Sequence, residues 1–78
     1  MSEYKLDVVG DINLSDYSSI HDYMGIIEQN DKLTITSKMK NSEEVEILCK
    51  MLESNYFTIV AQGGKVDGDY YITAKKER

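Results

Sequence analysis

The chain of 78 residues has room for one domain, residues 1–78, and for no separate catalytic or regulatory unit. Its apolar fraction of 41% and charged fraction of 29% exclude a disordered or fibrous protein, and no apolar run approaches the roughly 18 residues of a membrane span. The net charge of −5 repels phosphate backbones, so we expect no nucleic acid among its partners.

The first predicted elements are a strand and a helix. Apolar residues at every second position indicate the strand: Tyr4, Leu6 and Val8. Apolar residues at helical spacing then indicate the helix: Tyr17, Ile20, Met24 and Ile27. Asn13 is a good N-cap, and Asp16 stands three residues later where its carboxylate can reach back. We therefore predict a helix that begins near Leu14 and ends at the polar segment Gln29–Asp31.

A second strand and a second helix follow directly. The strand is indicated by Leu33 and Ile35, which alternate with threonines. Asn41 is the predicted cap of the helix, with Glu44 three residues later. An apolar stripe, widened by Ile47 and Met51, supplies the buried face of this helix: Val45, Leu48, Cys49 and Leu52. The segment Ser54-Asn55 ends it.

Two further strands close the chain, over Tyr56–Ala61 and Asp69–Lys75. The segment between them, Gln62–Gly68, is the predicted hairpin loop, because its glycines permit positive φ angles. Helices between successive strands can serve as right-handed crossovers, which place both helices on the same face of a sheet. The predicted fold class is therefore α+β, a β-α-β-α-β-β two-layer sandwich with a four-stranded mixed sheet, whose strand order the sequence leaves open.

The segment Leu6–Asp16, which leads into the first helix, contains Leu6-Asp7 and Gly10. In these residues the chain resembles the TusA/SirA family of small sulfur carriers, whose pattern is Leu-Asp-x-x-Gly-x-x-Cys-Pro-x-Pro. The apolar spacing, the Leu48-Cys49 pair and the ending Asp67–Ile72 are similar too. The resemblance implies a two-layer fold, shared with the C-terminal domain of a translation initiation factor, and a carrier that holds a persulfide on its cysteine.

The chain departs from this family at the reactive position. The family cysteine falls on Asn13 and the two prolines fall on Leu14 and Asp16. A thiol at a helix start is acidified by the helix dipole, whereas an amide cannot ionise or hold a persulfide. We therefore assign no catalytic residue and interpret Asn13 as a helix cap. The resemblance also implies basic residues along the first helix, where this chain has mainly acids: Asp16, His21, Asp22 and Glu28.

Cys49 is the remaining thiol on which sulfur transfer could depend. Its spacing places it on the buried stripe of the second helix, and burial raises the pKa of a thiol. Glu46 and Glu53, one turn away on either side, oppose a thiolate further. We interpret Cys49 as a structural residue and keep an active carrier that uses it as an alternative.

Other chemistry-bearing residues fit ordinary structural roles. A single cysteine and a single histidine form neither an internal disulfide nor a zinc site, so we expect no metal and no cofactor. His21 is interpreted as a boundary residue, and a triad with Asp7 and a serine is rejected because nothing fixes its geometry. Gly63-Gly64 is interpreted as part of a turn and not as a phosphate loop, because no helix follows it.

The leading hypothesis is a TusA/SirA-like protein without the acceptor cysteine, acting by protein–protein contact in or beside a sulfur-relay or redox pathway, and not as an enzyme. The start Met1–Lys5 lacks the apolar segment of a secretory signal, so a cytoplasmic location is expected. A second alternative is an acidic module for a basic protein partner, because residues 1–31 hold seven acids against Lys5.

Adjacent Tyr70 and Tyr71 face opposite sides of a strand, which predicts one tyrosine on the uncovered sheet face. The oligomeric state is left open by the sequence.

Overall fold

The protein is described by a computed structural model that covers residues 2–8, 12–38, 42–64 and 68–78. The elements follow in the predicted order along the chain: β1 (Glu3–Asp7), α1 (Leu14–Ile26), β2 (Lys32–Ser37), α2 (Ser42–Ser54), β3 (Phe57–Gly64) and β4 (Tyr70–Lys76). The helix α1 begins at Leu14, as its capping residues predict. Gly10, the predicted cap Asn41 and loop residues 65–67 lie outside the described residues.

The four strands form one mixed sheet in the order β1-β2-β4-β3. The strands β1 and β2 are parallel, as a crossover through α1 requires, and β4 is antiparallel to both of its neighbours. This arrangement confirms the predicted α+β class. It also makes β1 and β3 the two edge strands of the sheet.

Both helices pack on one face of this sheet and share one core with it. The most buried core side chains come from both layers: Ile20 and Met24 of α1, Leu48 and Leu52 of α2, Leu33 and Ile35 of β2, and Ile72 and Ala74 of β4. Burial of each large aliphatic side chain contributes about 1.5–3 kcal/mol relative to exposure. The sheet face opposite the helices carries a hydroxyl pair, Thr34 Oγ1 and Thr73 Oγ1, 2.9 Å apart.

Apart from shifts of one residue at strand ends, which leave Tyr56 and Asp69 outside the strands, the described strands and helices differ from the sequence predictions in three places. Gln62–Gly64 belong to β3 and pair with β4, so the predicted loop begins later; among the described glycines only Gly68, with φ 94°, has a positive φ. A Cβ at Gly63 would lie 3.5 Å from the ring of Tyr71, which is an ordinary van der Waals contact. The helix α1 ends at Ile26, because Ile27 already has extended backbone angles.

The third difference concerns Ile47, which was predicted to widen the buried stripe of α2. It is 47% exposed. Successive residues of a helix are about 100° apart, and the sheet covers the side of α2 that carries Leu48 and Leu52. Ile47 therefore lies beyond the covered arc of the helix.

Asp31 connects the residue before β1 to the turn after α1, and its backbone carbonyl accepts the N–H of Lys76 in β4 at 2.9 Å. Its side chain is buried, and its two carboxylate oxygens accept the backbone N–H of Ser2 at 2.8 Å and of Glu28 at 3.3 Å. Lys76 connects β4 to α1, because its Nζ donates a hydrogen bond to the carbonyl oxygen of Met24 at 2.9 Å. That cation lies near the end of α1, where the helix dipole favours positive charge.

Candidate functional site

The start of α1 is closed by a reciprocal pair of hydrogen bonds. The backbone N–H of Asp16 donates to Asn13 Oδ1 at 3.0 Å, and the backbone N–H of Asn13 donates to Asp16 Oδ2 at 3.0 Å. Asn13 itself has extended backbone angles, φ −120° and ψ 179°. This is a capping box, in which two amides without helical partners are satisfied by side chains. Asn13 thus acts as the helix cap of α1.

An apolar side chain stands next to this cap in solvent. Leu14, the first residue of α1, is 85% exposed. Asn13 and Ser15 on either side of it are exposed as well. The start of α1 thus presents a neutral amide, an aliphatic group and the partly buried carboxylate of Asp16. These groups can contact a partner protein.

Cys49 lies half-buried on α2 above the edge strand β3. Its Sγ is 3.8 Å from Gln62 Oε1, and the same oxygen accepts a hydrogen bond from the hydroxyl of Tyr70 at 3.2 Å. Burial raises the pKa of the Cys49 thiol, and the carboxylates of Glu53 and Glu46 raise it further. The surroundings of the thiol therefore favour its protonated form, in agreement with the sequence-based expectation.

The acids of residues 1–31 do not share one surface. The carboxylate of Asp31 is buried and accepts backbone hydrogen bonds, and Asp16 belongs to the capping box of α1. Glu3 and Asp7 alternate along β1 with Tyr4 and Leu6, whose side chains pack against the core, so both acids point to the sheet face away from the helices. An acidic face made by the whole segment 1–31 is therefore absent among its described residues.

The remaining chemistry-bearing residues are not brought together. His21 is exposed on α1, and among the described residues no hydrogen bond joins it to Asp7 or to a serine. The described residues contain no group of three or more His, Cys, Asp or Glu side chains arranged for a metal ion. Tyr70 packs against the core and Tyr71 lies on the opposite sheet face beside Gly63, which confirms that the two rings face opposite sides.

Sequence reasoning missed the contact of Gln62 with Cys49 and Tyr70. Gln62 was assigned to the loop, and its place in β3 follows from the register with Ile72, which points its side chain to the helix layer. The strand register is shifted between Ile59 and Ala61, so the alternation of faces changes within β3. A signal for such a shift is weak in a sequence, because it looks like an interruption of the two-residue period.

We compared the chain with protein-family models, with curated proteins and with solved structures, and none of the three comparisons found a match. Neither α1 nor α2, within the part of the chain that the structure describes, is long and apolar enough to cross a membrane.

Proposed function

We propose that this protein is a TusA/SirA-like member without the acceptor cysteine, which acts by protein–protein contact in or beside a sulfur-relay or redox pathway and is not an enzyme. The observation that supports the proposal is the capping box of Asn13 and Asp16, because the resemblance aligns Asn13, a non-ionising amide, with the family's cysteine. A cytoplasmic location belongs to the proposal, because a thiol relay requires reduced cysteines.

The exposed start of α1 is the contact surface that this proposal uses. A carrier of this family offers its sulfur at the helix start, so its partners must approach that end of the helix. Leu14, at 85% exposure, gives a partner an apolar contact there, and removing it from water is favourable. α1 has an acid, Asp16, in its first turn and no basic residue in its last turn. A partner with a basic docking surface therefore fits this helix better than a partner with an acidic surface.

An active carrier that uses Cys49 is the competing function. A persulfide carrier needs a thiolate, and the half-buried Cys49 beside Glu53 and Glu46 has a raised pKa. Its Sγ also lies against the side chain of Gln62 and not at an open helix start. These contacts support a structural role for the thiol over a carrier role.

The two functions are separated by loading the protein with sulfur. The full chain is incubated with a cysteine desulfurase and cysteine, and its intact mass is measured without reductant. The proposal predicts no gain of sulfur. A gain of one sulfur atom that disappears in Cys49→Ala would establish the carrier function and overturn the proposal.

A further inference from the structure

The two edges of the sheet differ in how they are protected from a further strand. β1 carries a charged, exposed residue at every second position: Glu3, Lys5 and Asp7. Charged side chains on an edge strand discourage pairing with another chain. β3, Phe57–Gly64, has no charged residue over its whole length of 8 residues. Only the β3 edge therefore lacks this protection.

The outer side of β3 is accessible. Thr58, Ala61 and Gln62 are exposed, and within the residues that the structure describes no strand pairs with β3 on the side away from β4. Val60 stands at the register shift between Ile59 and Ala61, where it has no partner residue in β4, and it is 51% exposed. The bulge interrupts a long flat edge, so a pairing strand fits the segment Ala61–Gly64 better than the full strand.

The helix above this edge gives it a negative charge. α2 packs over β3, and the contact between Cys49 Sγ and Gln62 Oε1 identifies the flank of α2 that overlooks the edge. Glu46 and Glu53 are exposed, and they stand three residues before and four residues after Cys49 on α2, so they lie on that same flank. A strand added to β3 would direct every second side chain toward these two carboxylates.

We propose that the free edge of β3 binds an extended segment of a partner protein as an added strand, with basic side chains at alternate positions facing Glu46 and Glu53. Backbone hydrogen bonds give such a strand its affinity, and the alternate side chains give it specificity. The inference rests on the proposed function, for which it identifies a docking surface and the chemistry of the partner. It does not depend on the start of α1.

A second copy of the chain fits this edge poorly. Pairing of two β3 strands about a two-fold axis would bring the two α2 helices side by side and place Glu46 and Glu53 near their own copies. Each chain also carries a net charge of −5. Like charges brought together in this way oppose association, whereas a basic segment is attracted.

The test uses synthetic peptides as probes of the full-length protein. One short peptide alternates lysine with valine or threonine, and its matched control has glutamate in place of lysine. Binding is followed by amide shifts in the ¹⁵N spectrum of the protein and by fluorescence anisotropy of the labelled peptide. The lysine peptide is expected to bind, with its largest shifts in Ala61–Gly64, and the glutamate peptide is not.

Variants of the edge and of the charged flank sharpen this test. Val60→Lys adds a positive charge to the edge that repels the lysine peptide, and it is expected to weaken binding about tenfold. Val60→Thr keeps a neutral β-branched residue at this position and is expected to leave binding unchanged. Glu46→Gln combined with Glu53→Gln is expected to weaken binding about threefold to tenfold, since exposed ion pairs are individually weak. Asp22→Asn with Glu28→Gln, on the other side of the helix layer, removes the same charge and is expected to have a smaller effect.

Four results would overturn the inference: no binding of the lysine peptide, equal binding of the glutamate peptide, shifts that avoid β3, or a concentration-dependent dimer in sedimentation that is abolished by Val60→Lys. The persulfide measurement is independent of all four. Failure of the peptide to bind would remove this docking surface and leave the absence of sulfur transfer to be judged by mass alone.

Discussion

The start of α1 and the middle of α2 offer opposite surroundings to a sulfur atom. At the helix start, Asn13 is exposed beside backbone N–H groups and the positive end of the helix dipole, which together favour an anion. On α2, Cys49 is half-buried and flanked by Glu53 and Glu46, which disfavour one. The chain has its one thiol in the second place and an amide in the first.

This difference shows that the capping of α1 and the chemistry of the thiol depend on separate parts of the molecule. The cap at Asn13 stabilises α1 with or without a thiol nearby, because it works through hydrogen bonds to Asp16. Cys49 packs against the core as a partly buried side chain.

The largest effect is expected from placing a thiol at the helix start. In Asn13→Cys combined with Cys49→Ser, the thiol reacts with iodoacetamide at neutral pH about tenfold faster than the wild-type thiol, because helix N-termini lower thiol pKa values. The carboxylate of Asp16 opposes part of this effect, so adding Asp16→Asn increases the rate further. Rates are followed by intact mass, and a thiol no faster than that of the wild type would contradict the comparison.

The cap itself is tested by its contribution to stability. Asn13→Ala removes the acceptor for the Asp16 N–H and is expected to lower the free energy of unfolding by about 1 kcal/mol. Asn13→Asp is the matched control, since aspartate caps a helix equally well. Both values come from urea denaturation. Equal stability of the alanine variant and the wild type would show that the capping box contributes nothing.

Removing the carboxylates beside Cys49 moves its surroundings toward those of an ordinary thiol. Glu46→Gln with Glu53→Gln lowers the pKa of Cys49, because two of the three causes that raise it are removed and burial remains. We expect alkylation at neutral pH to accelerate about twofold to fivefold. Asp22→Asn with Glu28→Gln serves as the control of equal charge. The same acceleration in the control would assign the effect to net charge instead of to the flank of α2.

The smallest effect is expected in the pH dependence of stability. A thiol whose pKa is raised by folding stabilises the folded state fully below its unfolded pKa, ordinarily 9.0, and that contribution is lost as pH rises through the folded value. Stability therefore falls above about pH 9, and less so in Cys49→Ala. Tyr17, whose pKa is also raised by burial and by Glu44, adds a further fall above pH 10.0 that both proteins share. A steeper fall in Cys49→Ala than in the wild type would contradict the assignment.

Much of the architecture could be predicted because its signals are local. The alternation of Leu33 and Ile35 marks β2, and the pair Asn13 and Asp16 marks the start of α1, since each depends on residues close together in sequence. The buried side of α2 was also predictable at Leu48 and Leu52 from helical spacing. These features need no knowledge of the strand order.

The features that could not be predicted depend on contacts between distant segments. The carboxylate of Asp31 binds the N–H of Ser2, 29 residues earlier, so the sequence around Asp31 gives no sign of its partner. Gln62 meets Cys49 only because the register shift in β3 turns Gln62 toward the helix layer. Exposure of Ile47 likewise follows from how far the sheet extends beneath α2, which helical spacing does not contain.

The account is tested most directly by the pH profile of alkylation of Cys49 in the folded and in the urea-unfolded chain. The chain has one cysteine, so every alkylated molecule reports the same thiol. The account predicts a higher apparent pKa in the folded protein than in the unfolded chain. An equal or lower pKa in the folded protein would mean that its surroundings favour the thiolate, and Cys49 would then be a candidate sulfur acceptor.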